Sequence, residues 1–229
     1  MSFAVMQPYL FPYLGYYQLV NAVEKFVFYD DVTFIKGGYI NRNNILSNGK
    51  AQRFTIPVPG LSSNTLINEL NFDSNIKKVL KTIEQSYKKT PYFEHVFPLI
   101  VSVLSDENRR IDHICAKSIS VVFEYLGINK DFYFSSELEY NRDLSAADKL
   151  IAMADVLKSN EYINSPGGKS LYDKKYFAEN KIRLSFIEIE KYEYLQNTNE
   201  FIPHLSMIDV LMYNSKADVI DMLSKYKLV

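Results

Sequence analysis

Phe3-Ala-Val-Met-Gln-Pro-Tyr-Leu-Phe-Pro-Tyr-Leu-Gly-Tyr16 opens a strand–loop–helix unit, and Lys25-Phe-Val-Phe-Tyr-Asp30 closes it. The apolar run from Phe3 to Met6 reads as a buried strand. Pro8 and Pro12 break it into a loop, and Gly15 marks the turn into a helical run over residues 16–23. The second apolar strand ends on two carboxylates, Asp30 and Asp31. Strand, loop, helix and strand within about thirty residues is the size of one βαβ unit. Ligands of such sheets sit outside the carboxyl ends of the strands. Residues 7–16 and Asp30–Asp31 are therefore expected to meet there as the active site.

Outward from this unit, Asn48-Gly49 separates two apolar-alternating runs, residues 39–46 and 52–58, and predicts a hairpin. Residues 67–72 read as a further short strand. The period then turns helical, with apolar residues at 76, 79, 80, 83 and 87. Thr90-Pro91 reads as the cap and first position of a helix over 92–104, which Pro98 is expected to kink or interrupt. Asp106 reads as the cap of a third helix that carries Ile111, Ile114, Cys115, Ile119, Val122 and Leu126 and stops at Gly127. Strands return at 132–134, 161–164 and 182–187, with helices at 145–157, 171–179, 204–212 and 215–226. The expected fold class is α/β, with a Rossmann-like or nucleotidyltransferase-like parallel sheet core. Residues 1–229 form a single domain in this reading, with a helical insertion at about 75–127.

The chain's formal net charge of −1 gives no electrostatic case for nucleic acid. Its 18 tyrosines and 15 phenylalanines, without tryptophan, suit both a core and a binding rim. A single cysteine, Cys115, excludes an internal disulfide, and no cysteine-based metal site is expected. No cationic segment with an apolar core opens the chain, and no run nears about 18 apolar residues. A cytoplasmic protein without a membrane span is expected.

Four clusters could carry chemistry. Tyr13-Leu-Gly-Tyr16 has the layout of a nucleotidyltransferase H-x-G-H loop, with tyrosines in both histidine places. A phenol donates a hydrogen bond to phosphate or carbonyl but brings no positive charge. A nucleotide-binding loop and a purely structural β–α turn both fit. Asp30 and Asp31 stand near Lys36, Asn41, Arg42 and Asn43. The acids could accept a proton, hold a divalent cation or bind sugar hydroxyls, and Lys36 and Arg42 suit phosphate. An Asp- and Asn-rich turn with an exposed salt bridge is the structural alternative. Asn164-Ser165-Pro-Gly167-Gly168-Lys169-Ser170 invites a P-loop assignment, which fails because Ile163 occupies the required first glycine. It reads instead as an anion nest at a helix N-terminus or as a tight turn with positive φ. His204, Ser206 and Asp209 lie too close together on one predicted helix for a catalytic triad, so Ser206 or His204 reads as an N-cap. His95 and His113 have no metal-ligand pattern around them.

Several stretches together resemble the WbqC-like family of bacterial proteins. They are Met6-Gln-Pro-Tyr-Leu-Phe-Pro-Tyr-Leu-Gly-Tyr-Tyr-Gln-Leu19, Phe28-Tyr-Asp-Asp-Val32 with Ile35-Lys36, Ile40-Asn-Arg-Asn43, Tyr162-Ile-Asn-Ser-Pro-Gly-Gly168 with Leu171-Tyr172-Asp173, and Leu205-Ser-Met-Ile-Asp-Val-Leu211. The resemblance implies a role in O-antigen and other surface-polysaccharide pathways, as a transferase that attaches an aminoacyl group, glycyl being one candidate, or another acyl group to a nucleotide-linked amino sugar. An amine with a pKa near that of lysine must lose its proton before it attacks a carbonyl. On this reading Asp30 or Asp31 is the base, with His204 as rival. Lys36, Arg42 and the Gly167–Gly168 turn bind phosphates, while Tyr9, Tyr13 and Tyr16 hold the donor. Gln7, Asn41, Asn43, Asn164, Ser165, Ser206 and Asp209 complete the expected substrate site. The cofactor is open, a nucleotide or an acyl-carrier donor, and an acyl carrier protein is a candidate partner. An ATP-dependent adenylating enzyme with a degenerate loop and a non-catalytic nucleotide-sugar-binding protein are the alternatives.

Overall fold

The computed structural model describes residues 1–62, 64–190 and 192–229. Its elements follow in the order β1 (Ser2–Met6), α1 (Leu14–Ala22), β2 (Lys25–Phe28), β3 (Arg42–Ser47), β4 (Lys50–Thr55), α2 (Lys77–Tyr87), α3 (Phe93–Leu104), α4 (Ile111–Leu126), β5 (Asp131–Phe134), α5 (Ala146–Leu157), β6 (Glu161–Asn164), α6 (Lys174–Glu179), β7 (Arg183–Ile189), α7 (Met207–Tyr213), α8 (Lys216–Leu223) and β8 (Tyr226–Leu228).

β1 and β2 are apolar at nearly every position because both faces of the sheet are covered. Ala4, Phe26, Phe28 and Ile163 face a core shared with α1, α4, α7 and α8. Phe3, Val5, Val27, Tyr162, Leu184 and Phe186 face a second core under α5 and α6. Alternate residues of one strand thus enter different cores, as the two-residue period of a strand requires.

Six strands form the main sheet in the order β5-β2-β1-β6-β7-β8. The first five are parallel and β8 runs antiparallel to β7. Counted by their sequence within the sheet, this is the 3-2-1-4-5-6 order of a doubly wound fold. The expected α/β parallel core is present. The order reverses between β1 and β6, so the loops after those strands diverge and open a crevice at the carboxyl end. β3 and β4 pair separately as a hairpin, with Asn48 at φ 51° and Gly49 at φ 72° in the turn. Positive φ at both central residues is what a two-residue primed turn demands. Among the described residues no helix is long and apolar enough to cross a membrane.

Several local expectations are corrected. Residues 67–69 form a 3-10 turn, not a strand. Thr90 turns back to the Tyr87 carbonyl, and α3 starts only at Phe93. It continues through Pro98, whose missing N–H leaves unpaired only a carbonyl of the exposed first turn. Asp106 caps nothing: it accepts from the Asn108 N–H and pairs with Lys117, and α4 begins at Ile111. Gly127, at φ 76°, ends α4 as expected. Residues 166–170 are a 3-10 turn, and α6 starts at Lys174 under an Asp173 cap. α8 stops at Leu223, and residues 226–228 pair with β7 instead of extending the helix. A three-residue edge strand is too short to show a period.

Candidate active site at the carboxyl end of the sheet

The loop leaving β1 is held by buried polar side chains from three distant parts of the chain. Phe11 adopts φ 40°, a left-handed conformation that costs an L-residue about 1–2 kcal/mol. Its carbonyl accepts from Asn43 Nδ2 at 2.7 Å and from Ser206 Oγ at 2.7 Å, and its N–H donates to Ser118 Oγ at 2.9 Å. Asn43 Nδ2 also donates to the Leu10 carbonyl, and the Pro12 carbonyl accepts from the Met207 N–H. The hairpin, α4 and the N-terminus of α7 therefore fix this loop together.

Above the pinned loop lies a cavity of about 210 Å³ lined by Tyr9, Pro12, Tyr13, Tyr39, Asn43 and His204. The ring of Tyr9 lies 6.4 Å from that of Tyr39, and Tyr13 meets His204 edge-on at 5.7 Å. A second cavity of about 470 Å³ runs between α1 and the segment after β7. Tyr13 and His204 line both cavities, so they form the partition between them. Burial raises the Tyr9 and Tyr13 phenols above their ordinary value, and the Tyr9 phenol adds to the effect at Tyr13. Both act near neutral pH as neutral hydrogen-bond donors. His204 is exposed and sits at φ 59°, a strained conformation of the kind that clusters at functional sites.

The model of the WbqC-like protein family matches residues 7–220, from the first residue of the pinned loop to α8. The chain belongs to that family. It is 24% identical over 225 residues, 96% of each chain, to the uncharacterized protein Rv1507c of Mycobacterium tuberculosis (strain ATCC 25618 / H37Rv). No solved structure matches it.

In this WbqC-like protein Tyr9, Tyr13, Asn43 and His204 come together, and the other expected site residues take different places. Tyr16 is buried, with its hydroxyl donated to the Gln7 carbonyl at 2.9 Å. Gln7 follows directly on β1, and its side-chain Oε1 is buried without a partner among the described residues. Lys36 is exposed in the loop before the hairpin. Arg42 Nε donates to the Gly38 carbonyl at 2.9 Å, and Asn41 Nδ2 donates to the Ile56 carbonyl at 2.9 Å. Tyr39 and Pro12 were not singled out from sequence. The Gly37-Gly38 pair before Tyr39 was the available signal: Gly37, at φ 82°, lets the loop reverse beside it.

Asp30 is fully buried, and its carboxylate accepts from Ser135 Oγ and the Ser136 N–H at 2.9 Å each and from Ser136 Oγ. Asp31 pairs with Arg142 Nε at 2.7 Å, accepts from Tyr140, and shares the single Ser135 hydroxyl hydrogen with Asp30. These bonds tie the end of β2 to the loop after β5. Asp31 also lines an open hollow with Asn68, Arg110, Ser136 and Arg142. Neither acid lines the two aromatic cavities.

At the end of β6, Asn164 Oδ1 accepts from the Ser165 N–H at 2.7 Å. Neither Gly167 nor Gly168 has positive φ, so the turn does not use glycine for a left-handed backbone. Gly168 is required by close approach, since a Cβ there would lie 2.2 Å from Asn164 Nδ2. Gly168→Ala is expected to destabilise the protein by about 1–3 kcal/mol, seen as a lower urea midpoint. An unchanged midpoint would mean that Asn164 can swing aside freely.

Ser206, outside α7, caps it by accepting from the Ile208 N–H at 3.3 Å, as one of the two capping readings had it. His204 lies two residues before that cap, not in the helix. Asp209 is buried in the first turn of α7 and accepts from Tyr87 at 2.8 Å and Tyr194 at 3.0 Å. Burial pushes its carboxyl up to about 6, although both phenols oppose that shift.

Proposed function

We propose that this protein transfers an aminoacyl or other acyl group to the amine of a nucleotide-linked amino sugar used in surface polysaccharide. The observation that carries this reading is the pair of cavities that share Tyr13 and His204 at the carboxyl end of a doubly wound sheet. Two cavities that meet at a histidine suit a two-substrate reaction with a shared base. His204 takes the base's role in preference to Asp30 or Asp31, whose carboxylates are occupied by serine, tyrosine and arginine donors away from both cavities. The amine gives its proton to the imidazole, and its lone pair forms the new C–N bond at the acyl carbonyl. The bond to the leaving group then breaks, and the leaving group recovers the proton from the imidazolium. In this reading the neutral Tyr13 phenol donates to the carbonyl oxygen as negative charge develops there.

Direct transfer fits the lining, because no described residue of either cavity is a thiol, serine or lysine. Cys115 is buried on α4, and burial pushes its thiol up. Lys36 and Arg42, near Tyr39 in the chain, offer cations to a phosphate of either substrate. Adenylation fits less well, since Tyr16 stands where the second imidazole would be and its hydroxyl is spent on the Gln7 carbonyl.

The test is a mass-spectrometric assay with UDP-linked amino sugars and a panel of acyl thioesters, with pyrophosphate release from ATP measured beside it. A sugar product heavier by the acyl group is expected. Pyrophosphate released without sugar would replace transfer by adenylation. His204→Gly separates chemistry from folding. Glycine adopts the left-handed backbone without strain, so a stability gain of about 1 kcal/mol is expected. Turnover should fall at least about 100-fold. Full turnover in that variant would remove His204 from the base's role.

A further inference from the structure

We infer that the 470 Å³ cavity between α1 and the segment after β7 is the subsite for an ammonium-bearing sugar, and that the 210 Å³ cleft takes the acyl end of the donor. This rests on the transfer reading above and assigns each substrate a side of the Tyr13–His204 partition.

The larger cavity has the lining that a cation selects. Two carboxylates, Glu190 and Glu193, stand at its wall. Glu190 is 3.5 Å from Lys227, and Glu193 has no ion pair among the described residues. The described lining holds no lysine or arginine. Aromatic faces complete it: Tyr194 and Phe201 meet edge-on at 5.2 Å, and the Tyr194 hydroxyl is anchored on Asp209. Ring faces and carboxylates together favour an ammonium group.

An independent feature points the same way. Gln18 of α1 is fully buried and lines this cavity. Its Nε2 donates to the Met222 carbonyl at 2.8 Å and the Lys225 carbonyl at 3.2 Å, which fixes the orientation of the amide. Among the described residues its Oε1 is left as a buried acceptor without a donor. Such an oxygen is costly unless something donates to it, and an ammonium or sugar hydroxyl would supply a donor if the side chain turned that oxygen into the cavity. The smaller cleft differs in kind. Its lining of tyrosines, a proline, an asparagine and His204 contains no carboxylate. It suits an uncharged acyl carbonyl, and the shared His204 takes the proton of the attacking amine once the ammonium has given up its extra proton to solvent.

The experiment is a chemical-shift titration of ¹⁵N-labelled protein at pH 6.5 with methyl glucosaminide and with methyl N-acetylglucosaminide. The two probes differ in the charge on nitrogen and need no nucleotide. The amine is expected to bind at least tenfold more tightly, with the largest shifts at residues 192–194 and in the Gln18 side-chain amide. Glu193→Gln should reduce that preference about fivefold. Gln18→Met, close in volume but without the carbonyl, should reduce it as well. Glu193 is exposed, so its variant reports binding even where the Gln18 variant fails to fold. Equal affinity for the two probes, shifts confined to other surfaces, or an unchanged preference in Glu193→Gln would overturn the assignment. Amine preference retained without acyl transfer would remove the transfer reading and leave the ammonium subsite standing. Transfer without amine preference would do the reverse.

Discussion

Asn43→Ala is expected to lower the stability of the protein by about 2–4 kcal/mol and to abolish ligand binding in the small cleft. Asn43 is 2% exposed, and its amide bridges the Leu10 and Phe11 carbonyls on one side and the Asn44 N–H on the other. Truncation leaves the Leu10 carbonyl without that donor in a buried site, which costs about 1–3 kcal/mol, and the emptied volume adds to it. The Phe11 carbonyl keeps Ser206, so the loop is weakened rather than released. With one tether gone, the left-handed Phe11 can relax, and Tyr9 and Tyr13 on either side of it move with the backbone. Urea unfolding measures the first effect, and the chemical shifts of the tyrosine rings measure the second. Asn43→Asp should be worse, because the carboxylate oxygen in the place of Nδ2 would face two carbonyl oxygens without a donor. A midpoint within about 0.5 kcal/mol of wild type would show that this loop holds itself.

The second large effect is a pH dependence centred on Asp209. Its carboxyl is raised from 3.8 to about 6 in the folded protein, chiefly by burial. The folded state thus binds the proton more tightly than the unfolded chain does. The contribution of this group to stability is fully present below about pH 4 and is lost as pH rises through about 6. A shift of about two units corresponds to about 3 kcal/mol across that window. Asp209→Asn should flatten the decline between pH 4 and pH 6 in urea midpoints. Asp106 works in a separate window: Lys117 holds its carboxyl down at about 2, so its contribution is lost only as pH falls from about 4 towards 2. A wild-type stability that is flat from pH 4 to pH 7, or a slope that persists in Asp209→Asn, would refute the assignment. Tyr194, which donates to Asp209, also walls the larger cavity, so the same titration should be visible in its ring resonances.

The parallel strands were legible as short apolar runs bounded by turn residues, whereas β8 was expected to be helix. β1 and β2, buried on both faces, needed no alternation to be seen, while the hairpin was marked by Asn48-Gly49 between two alternating runs. Helix starts were less legible. Thr90-Pro91 and Asp106 have the chemistry of caps but sit in turns, because a cap is decided by which backbone N–H groups are left free. The same limit applies at the candidate site. Tyr9 and Tyr13 were readable as a loop after a strand, whereas Tyr39 reaches them only because Gly37 reverses the chain. His204 and Ser206 read as one helix start, yet one is strained outside the helix and the other caps it.

The sequence by itself determined the α/β class, the βαβ unit at the N-terminus and the family, since apolar period, turn residues and motif order are local properties. Only the tertiary structure decided which polar residues stand in a cavity. Asp30 and Asp31 meet Ser135, Ser136 and Arg142 from more than a hundred positions away, while Asn43, Ser118 and Ser206 converge on Phe11. A carboxylate at a strand end looks the same in sequence whether it faces solvent, substrate or a serine. Which of these it meets is set by the packing of distant segments, and no local pattern carries that information.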